Sequence, residues 1–217
     1  MAASKPGGLL VHRSSSSSDR VFFLQQLRDQ LDGQWIYPVH RLDRAASGIM
    51  VFAFSSEGAR RLQQTLQAAS ARKEYLTLAR GTTPEHWEVD RPLTDQAKQR
   101  KPARTSFERV FAACIGRGLD CSMLRAQLHT GRRHQIRRHL ARAGHFIFGD
   151  TTYGKGGINN FLRESYGLPR LFLHAIRLDL LHPTSGELLR IDDPLPADLR
   201  AFLERLTDIP AERYAKL

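Results

Sequence analysis

Short apolar segments with two different spacings follow one another irregularly along this chain, and they constrain its fold more than any other feature. Segments with strand-like alternation stand between segments whose apolar residues recur at helical spacing. A regular strand–helix–strand rhythm would predict a doubly wound parallel sheet, and the sequence does not have one. We therefore predict an α+β fold with a mixed, mostly antiparallel sheet flanked by helices and loops.

The periodicity and the turn-forming residues predict five helices and six strands. The predicted helices cover residues 20–32, 55–69, 132–143, 158–166 and 196–206. The predicted strands cover residues 36–39, 48–54, 73–80, 105–112, 121–128 and 171–181. Residues 1–18, with the low-complexity run Ser14–Ser18, and residues 81–104 are predicted to be irregular. We expect Ser18 or Asp19 to cap the first helix, Ser55 or Ser56 the second, and Thr130 the third.

The length of the chain and its few cysteines bound the class of protein. The 217 residues predict a single domain, and 41% apolar residues suffice for a buried core. No apolar run is long enough to cross a bilayer, and no secretory signal is recognisable, so we expect a soluble, cytoplasmic monomer that does not bind membranes. Cys114 and Cys121 are too few for a disulfide scaffold and are expected to be free thiols.

The excess positive charge points to a polyanionic partner. The chain carries 33 Lys and Arg against 22 Asp and Glu, a net charge of +11, and 27 of the 33 are Arg. Arginine presents a planar fork of donors that matches phosphate oxygens and stacks on bases, so this composition favours nucleic-acid binding. The alternative is a generally basic surface with no such partner.

The densest polar cluster is the loop His40–Gly48 between two predicted strands. Its Asp43 is flanked by Arg41 and Arg44, and a carboxylate in such a loop is a candidate nucleophile or general base. The alternative is a salt bridge that only holds the turn.

A second cluster runs from His129 to His145, with five Arg and no acidic residue. On the helix predicted there, Arg137 shares a face with Leu140 and is expected to point inward. A buried guanidinium needs an anionic partner, and Asp43 is the candidate. The alternative is a solvated basic face.

Other chemistry is excluded or left open. The histidines of the second cluster lack metal-ligand spacing and acidic neighbours, so we expect no metal site. His40-Arg41-Leu42-Asp43 resembles a kinase motif only superficially, because the other kinase motifs and a P-loop are missing. Tyr75 follows Lys73-Glu74 at a predicted strand start, where it could stack on a base or simply belong to the core.

Taken together, these motifs resemble the RluA-type pseudouridine synthase family over nearly the whole chain. Five elements occur in the family's order, namely Lys5–His12, His40–Gly48, Lys73–Tyr75, Thr130–His139 with Gly149-Asp150, and Leu173–Ala175. The resemblance implies the pseudouridine synthase fold with a central catalytic cleft, an isomerase that needs no cofactor, and a specific uridine in structured RNA as substrate. We expect tRNA as the partner, with ribosomal RNA as the alternative.

The resemblance also implies roles for individual residues. Asp43 would be the essential nucleophile or base, Arg137 would pair with it, Tyr75 would stack on the target base, and Arg41 would fill the space that the extruded nucleotide leaves. Basic side chains would contact the RNA, and these are Arg41, Arg44, Lys98, Lys101, Arg104, Arg132, Arg133, His134 and Arg138.

The sequence departs from the family pattern in two places. Only four residues precede Lys5, so an N-terminal strand is expected to be truncated, and no S4-like RNA-binding domain is recognisable. Ala46 replaces a usual threonine, which removes a hydroxyl from the loop at a cost of about 1 kcal/mol. These departures support one competing hypothesis, a catalytically silent RNA-binding protein on the same fold.

Overall fold

A computed structural model describes residues 1–13, 18–206 and 208–214 of the chain. Within these residues the chain divides into two compact units. Unit 1 comprises Met1–Lys73 and Ala175–Asp193, and unit 2 comprises Glu74–His174 and Pro194–Leu217. The low-complexity run Ser14–Ser18 lies outside the described residues except for Ser18. No helix in the described part of the chain is long and apolar enough to cross a membrane.

Unit 1 contains five strands and two helices. The strands are β1 (Ala2–Lys5), β2 (Tyr37–Pro38), β3 (Ser47–Ala53), β10 (Leu173–Leu181) and β11 (Leu188–Asp192). The helices are α1 (Phe23–Gln30) and α2 (Ser56–Gln67). Strand β3 lies between β10 and the successive partners β1 and β2, and β11 pairs with β10. The pairs β1–β3, β2–β3 and β10–β11 are antiparallel.

The core of unit 1 forms where α2 packs on the sheet. Val51 and Leu178 from β3 and β10 meet Leu66 of α2 in one buried cluster. Ser55 caps α2 as expected, because its hydroxyl accepts the Gly58 N–H at 3.0 Å.

Unit 2 has an antiparallel sheet in the order β4–β9–β8–β5, a separate hairpin and three helices. The strands are β4 (Arg72–Arg80), β5 (His86–Asp90), β6 (Leu93–Thr94), β7 (Arg100–Lys101), β8 (Arg104–Ile115) and β9 (Leu119–Leu128). The helices are α3 (Gln135–Arg142), α4 (Gly156–Tyr166) and α5 (Ala197–Arg205), and a short 3-10 helix follows at Ala211–Arg213. Buried aromatic side chains such as Phe172 and Phe202, with ring centroids 6.1 Å apart, belong to its core.

The α+β class and the mostly antiparallel sheet are confirmed, but two segments predicted to be irregular contain strands. Ala2–Lys5 is β1, because its backbone pairs with β3. Within 81–104 the chain forms β5 and the β6–β7 hairpin, and β11 was not predicted at all. Strand β5 lies at a sheet edge with alternating exposure, so its polar composition concealed it.

Two of the expected helix caps are wrong. Neither Ser18 nor Asp19 caps α1, because the N–H groups of Phe23 and Leu24 are taken by the carbonyls of Leu10 and Val11. Thr130 does not cap α3 either. Instead, the Gln135 side chain folds back and its Oε1 accepts bonds from the Arg132 N–H and the Thr130 hydroxyl. 

Candidate active site

In unit 1, Asp43 opens a tight turn immediately before β3. The Ala46 N–H donates to the Asp43 carbonyl at 3.1 Å and closes the turn. Asp43 is half-buried, whereas Arg41 and Arg44 are exposed. Gly48 ends the motif at φ +120°, and a Cβ there would clash with the backbone of Ala175. The Ser-Gly pair therefore lets β3 run close against β10 directly behind the turn.

The buried side chain of Lys5 fixes this turn through hydrogen bonds. Its side chain is fully buried, and its ammonium donates to the carbonyls of Pro6 (2.6 Å), Leu9 (2.8 Å) and Arg44 (3.2 Å). The Arg44 carbonyl also accepts the Gly8 N–H at 2.8 Å. One ammonium thus joins the N-terminal segment to the residue that follows Asp43.

The exposed Arg44 side chain also connects the turn to the N-terminal segment. It donates to the Gly8 carbonyl at 3.1 Å and to the Asp19 carboxylate at 2.8 Å. Arg44 therefore braces the turn, and its expected contact with RNA phosphate stays a prediction.

His40 is a neutral structural residue beside this turn. Burial, reinforced by the charge of Lys73, lowers the pKa of His40 to about 4. Its Nε2 accepts the Val51 N–H at 3.1 Å, so the ring proton sits on Nδ1. At neutral pH His40 anchors the turn to β3.

In unit 2, Arg137 is buried on the inner face of α3, as the helical spacing predicts. Its Nε and Nη2 each donate to a carboxylate oxygen of Asp150 at 2.8 Å, in a side-on pair. Burial alone would raise the pKa of Asp150, but the Arg137 hydrogen bond and the N–H groups of Tyr153 and Thr152 lower it below its usual value. The required anionic partner is thus supplied by Asp150, and the pairing of Arg137 with Asp43 stays a prediction.

Tyr75 lies on β4 opposite Ala126 of β9. It is half-buried, whereas its neighbours in the chain, Glu74 and Leu76, are buried. A ring in this position retains an accessible surface, which is compatible with base stacking.

Three of the expected RNA ligands make contacts within unit 2, and their binding to RNA stays a prediction. Arg138 of α3 donates to the Thr94 carbonyl at 3.0 Å, and Arg132 donates to the Pro102 carbonyl at 2.9 Å. Arg104 pairs with Glu88 at 2.9 Å. Arg138 and Arg132 thus tie the β6–β7 hairpin segment to α3 and to the residues before it, whereas Arg104 links β8 to β5.

The remaining expected ligands lie on or beside that hairpin. Lys98 and Arg133 are exposed, and Lys101 donates to the Gln99 side chain at 2.7 Å. His134 is half-buried, adopts φ +53° and places Nδ1 3.1 Å from the Tyr153 hydroxyl. The basic surface of unit 2 is therefore a braced hairpin next to the start of α3.

Sequence reasoning placed two of the functional residues in motifs but assigned them no role. Lys5 and Asp150 both fall within family motifs, but only the structure shows that each is a buried charge whose hydrogen bonds neighbouring groups satisfy. A charged residue inside an apolar or glycine-containing motif was the available signal.

The chain is similar to known proteins of one family. The family model described as RNA pseudouridylate synthase matches residues 1–142. The tRNA pseudouridine synthase C of Vibrio cholerae is 38% identical over 209 residues, covering 88% of this chain and 85% of the relative. The Vibrio vulnificus protein of the same name is 36% identical over 201 residues, covering 84% and 82%.

The fold agrees as well. Human RNA Pseudouridylate Synthase Domain Containing 4 superposes with a TM-score of 0.73 at 22% identity, covering 95% of this chain and 89% of that one. Human RNA Pseudouridylate Synthase Domain Containing 1 superposes with a TM-score of 0.67 at 22% identity, covering 93% and 95%. The sequence motifs, the family match and the fold together place this chain in the RNA pseudouridylate synthase family.

Proposed function

We propose that this chain converts a specific uridine of tRNA into pseudouridine, with Asp43 as its essential nucleophile or base. The observation that supports tRNA as the substrate is the sequence identity of 36–38%, over 84–88% of this chain, to relatives named tRNA pseudouridine synthase C. The cytoplasmic location and monomeric state expected from the sequence belong to the same proposal.

The reaction is an isomerisation within one nucleotide. The bond between uracil N1 and ribose C1′ breaks, the uracil turns in its pocket, and a bond between C5 and C1′ forms. C5 loses a proton and N1 gains one, so no oxidant, reductant or external group is consumed. Asp43 attacks the sugar, attacks the base or removes a sugar proton, and each of these routes requires its carboxylate.

The bracing of the Asp43 turn supports a catalytic role for this carboxylate. A loop that only connected two strands would not need hydrogen bonds from a buried ammonium and from the Arg44 guanidinium to fix its position. Catalytic groups are effective when their geometry is fixed before the substrate arrives. By the family resemblance, Arg137 orients Asp43, Tyr75 stacks on the target base and Arg41 occupies the vacated space.

The charge distribution supports RNA as the substrate. Unit 2 carries 21 Lys and Arg against 13 Asp and Glu, whereas unit 1 carries 12 against 9. Extruding a base from a stem costs a few kcal/mol, and phosphate contacts offset it. The exposed Lys98 and Arg133 are the phosphate ligands we expect to contribute most.

The test compares wild type with Asp43→Asn on unmodified tRNA and ribosomal RNA, with pseudouridine mapped at nucleotide resolution. We expect one tRNA uridine to be converted by wild type and none by the variant, while both bind tRNA with Kd values within about threefold. Conversion confined to ribosomal RNA would overturn the tRNA assignment. Absence of pseudouridine from every RNA would favour the silent RNA-binding protein.

A further inference from the structure

The geometry of the Arg137–Asp150 pair restricts how Arg137 can act. Asp150 takes the Nε–Nη2 edge of the guanidinium with two bonds of 2.8 Å. Any further anion must then approach the other end of the guanidinium, where Nη1 lies. The pair is almost fully buried, with side-chain exposures of 7% for Arg137 and 1% for Asp150.

Asp150 is itself held in one orientation. Its Oδ1 also accepts the N–H groups of Thr152 at 2.9 Å and Tyr153 at 3.0 Å. Its carbonyl accepts the Asn159 amide at 2.9 Å, and the Asn159 Oδ1 accepts the Gly149 N–H at 2.9 Å. The carboxylate cannot rotate without losing two backbone donors, so it is a fixed support for the guanidinium.

Tyr153 adds a third constraint on Arg137. The guanidinium carbon lies 5.1 Å from the Tyr153 ring centroid, within cation–π distance. The Tyr153 hydroxyl is in turn 3.1 Å from His134 Nδ1 at the start of α3. The guanidinium is therefore fixed along one edge and against an aromatic ring.

We propose that Asp150 is a positioning residue for the isomerisation, which acts by orienting the guanidinium of Arg137. This inference rests on the proposed function. A buried ion pair contributes little net stability compared with apolar side chains of the same volume, so orientation is the property that this pair supplies. Asp150 touches neither the substrate nor the reacting atoms in this scheme.

The test measures kcat and Kd separately on an unmodified tRNA transcript. Asp150→Asn keeps the size of the side chain but removes its charge, and we expect kcat to fall about 100-fold with Kd within about threefold of wild type. In an Arg137→Met background, Asp150→Asn should change kcat by less than about twofold, because its effect passes through Arg137. A merely structural role would lower kcat in both backgrounds.

The matched control is Asp198→Asn in the same unit. Asp198 forms the same side-on pair with Arg170, at 2.6 and 3.0 Å, and we expect kcat within about twofold of wild type. If Asp150→Asn fails to fold in thermal melts, Asp150→Glu keeps the charge but displaces the guanidinium, and the same loss of kcat is expected.

Three results would overturn the inference. These are a wild-type kcat in a folded Asp150 variant, an equal loss of kcat with and without Arg137, and a fall in kcat matched by Asp198→Asn. If wild type forms no pseudouridine, the proposed function fails and this inference fails with it. Active wild type with an equally active Asp150→Asn removes the inference alone.

Discussion

Replacing Lys5 by Met tests whether the buried ammonium holds the Asp43 turn. Lys5 is fully buried, and its Nζ donates to three carbonyls at 2.6, 2.8 and 3.2 Å. Methionine keeps most of the apolar stem but leaves these three acceptors facing a thioether. Each hydrogen bond from the ammonium that is lost costs about 1 kcal/mol or more, so we expect the free energy of unfolding to fall by about 3 kcal/mol.

Thermal melting followed by circular dichroism measures this loss. For a chain of this size, about 3 kcal/mol corresponds to a Tm lower by about 6 to 12 °C. Because one of the three carbonyls belongs to Arg44, next to Asp43, pseudouridine formation should also slow while tRNA affinity is retained. Lys155→Met is the matched control, since Lys155 is exposed and its ammonium lies 5.1 Å from the Phe146 ring centroid; it should leave turnover unchanged and lower Tm by only about 2 °C. A Lys5→Met protein that melts within about 2 °C of wild type at full turnover would refute the reasoning.

Three further predictions concern pH, backbone geometry and salt. The pKa of His40 is about 4 in the folded protein and higher in the unfolded chain, so the unfolded state gains a proton first as the pH falls. Wild type should therefore lose stability between about pH 6.5 and pH 4. In denaturant titrations this loss should exceed that of His40→Gln by up to about 1.4 kcal/mol per pH unit. Gly48→Ala should lower the free energy of unfolding by at least about 3 kcal/mol, because the strain of a positive φ and a clash with the backbone add. The control Gly186→Ala, at φ +73° with open space around it, should lower it by about 1 kcal/mol. Equal losses in chemical denaturation would contradict the clash. Lys98→Gln should lower the slope of log Kd against log salt by about 1 if Lys98 binds a phosphate, and an unchanged slope would remove it from the interface.

The sequence predicted the parts of the fold that carry a strong apolar period. Strand β3, helix α2 and helix α3 were placed to within a few residues, because β3 is a short apolar run and each helix has an apolar face. Strand β5 was missed, since an edge strand with polar outward residues has the composition of a loop. Thr130 was wrongly expected to cap α3, whose first turn has no side-chain cap; its hydroxyl instead donates to the Gln135 side chain.

The candidate site was predicted in part for the same physical reason. Periodicity correctly placed Arg137 on the buried face of α3, because it shares that face with Leu140. Periodicity cannot identify a partner, and Asp150 follows a turn whose path only the folded chain defines. The role of Lys5 was missed for a similar reason, since its hydrogen-bond acceptors are backbone carbonyls, which have no signature in the sequence.

Each compact unit is assembled from two separate stretches of chain, and this has a consequence for biosynthesis. Strand β3 is made early, but the neighbour that shields it, β10, leaves the ribosome only after most of unit 2 has been translated. Unit 2 likewise waits for α5 near the end. Pairing across such long separations is slow, so nascent chains hold incomplete apolar surfaces for much of translation. Low temperature weakens hydrophobic association between such exposed surfaces, so it should raise the soluble yield.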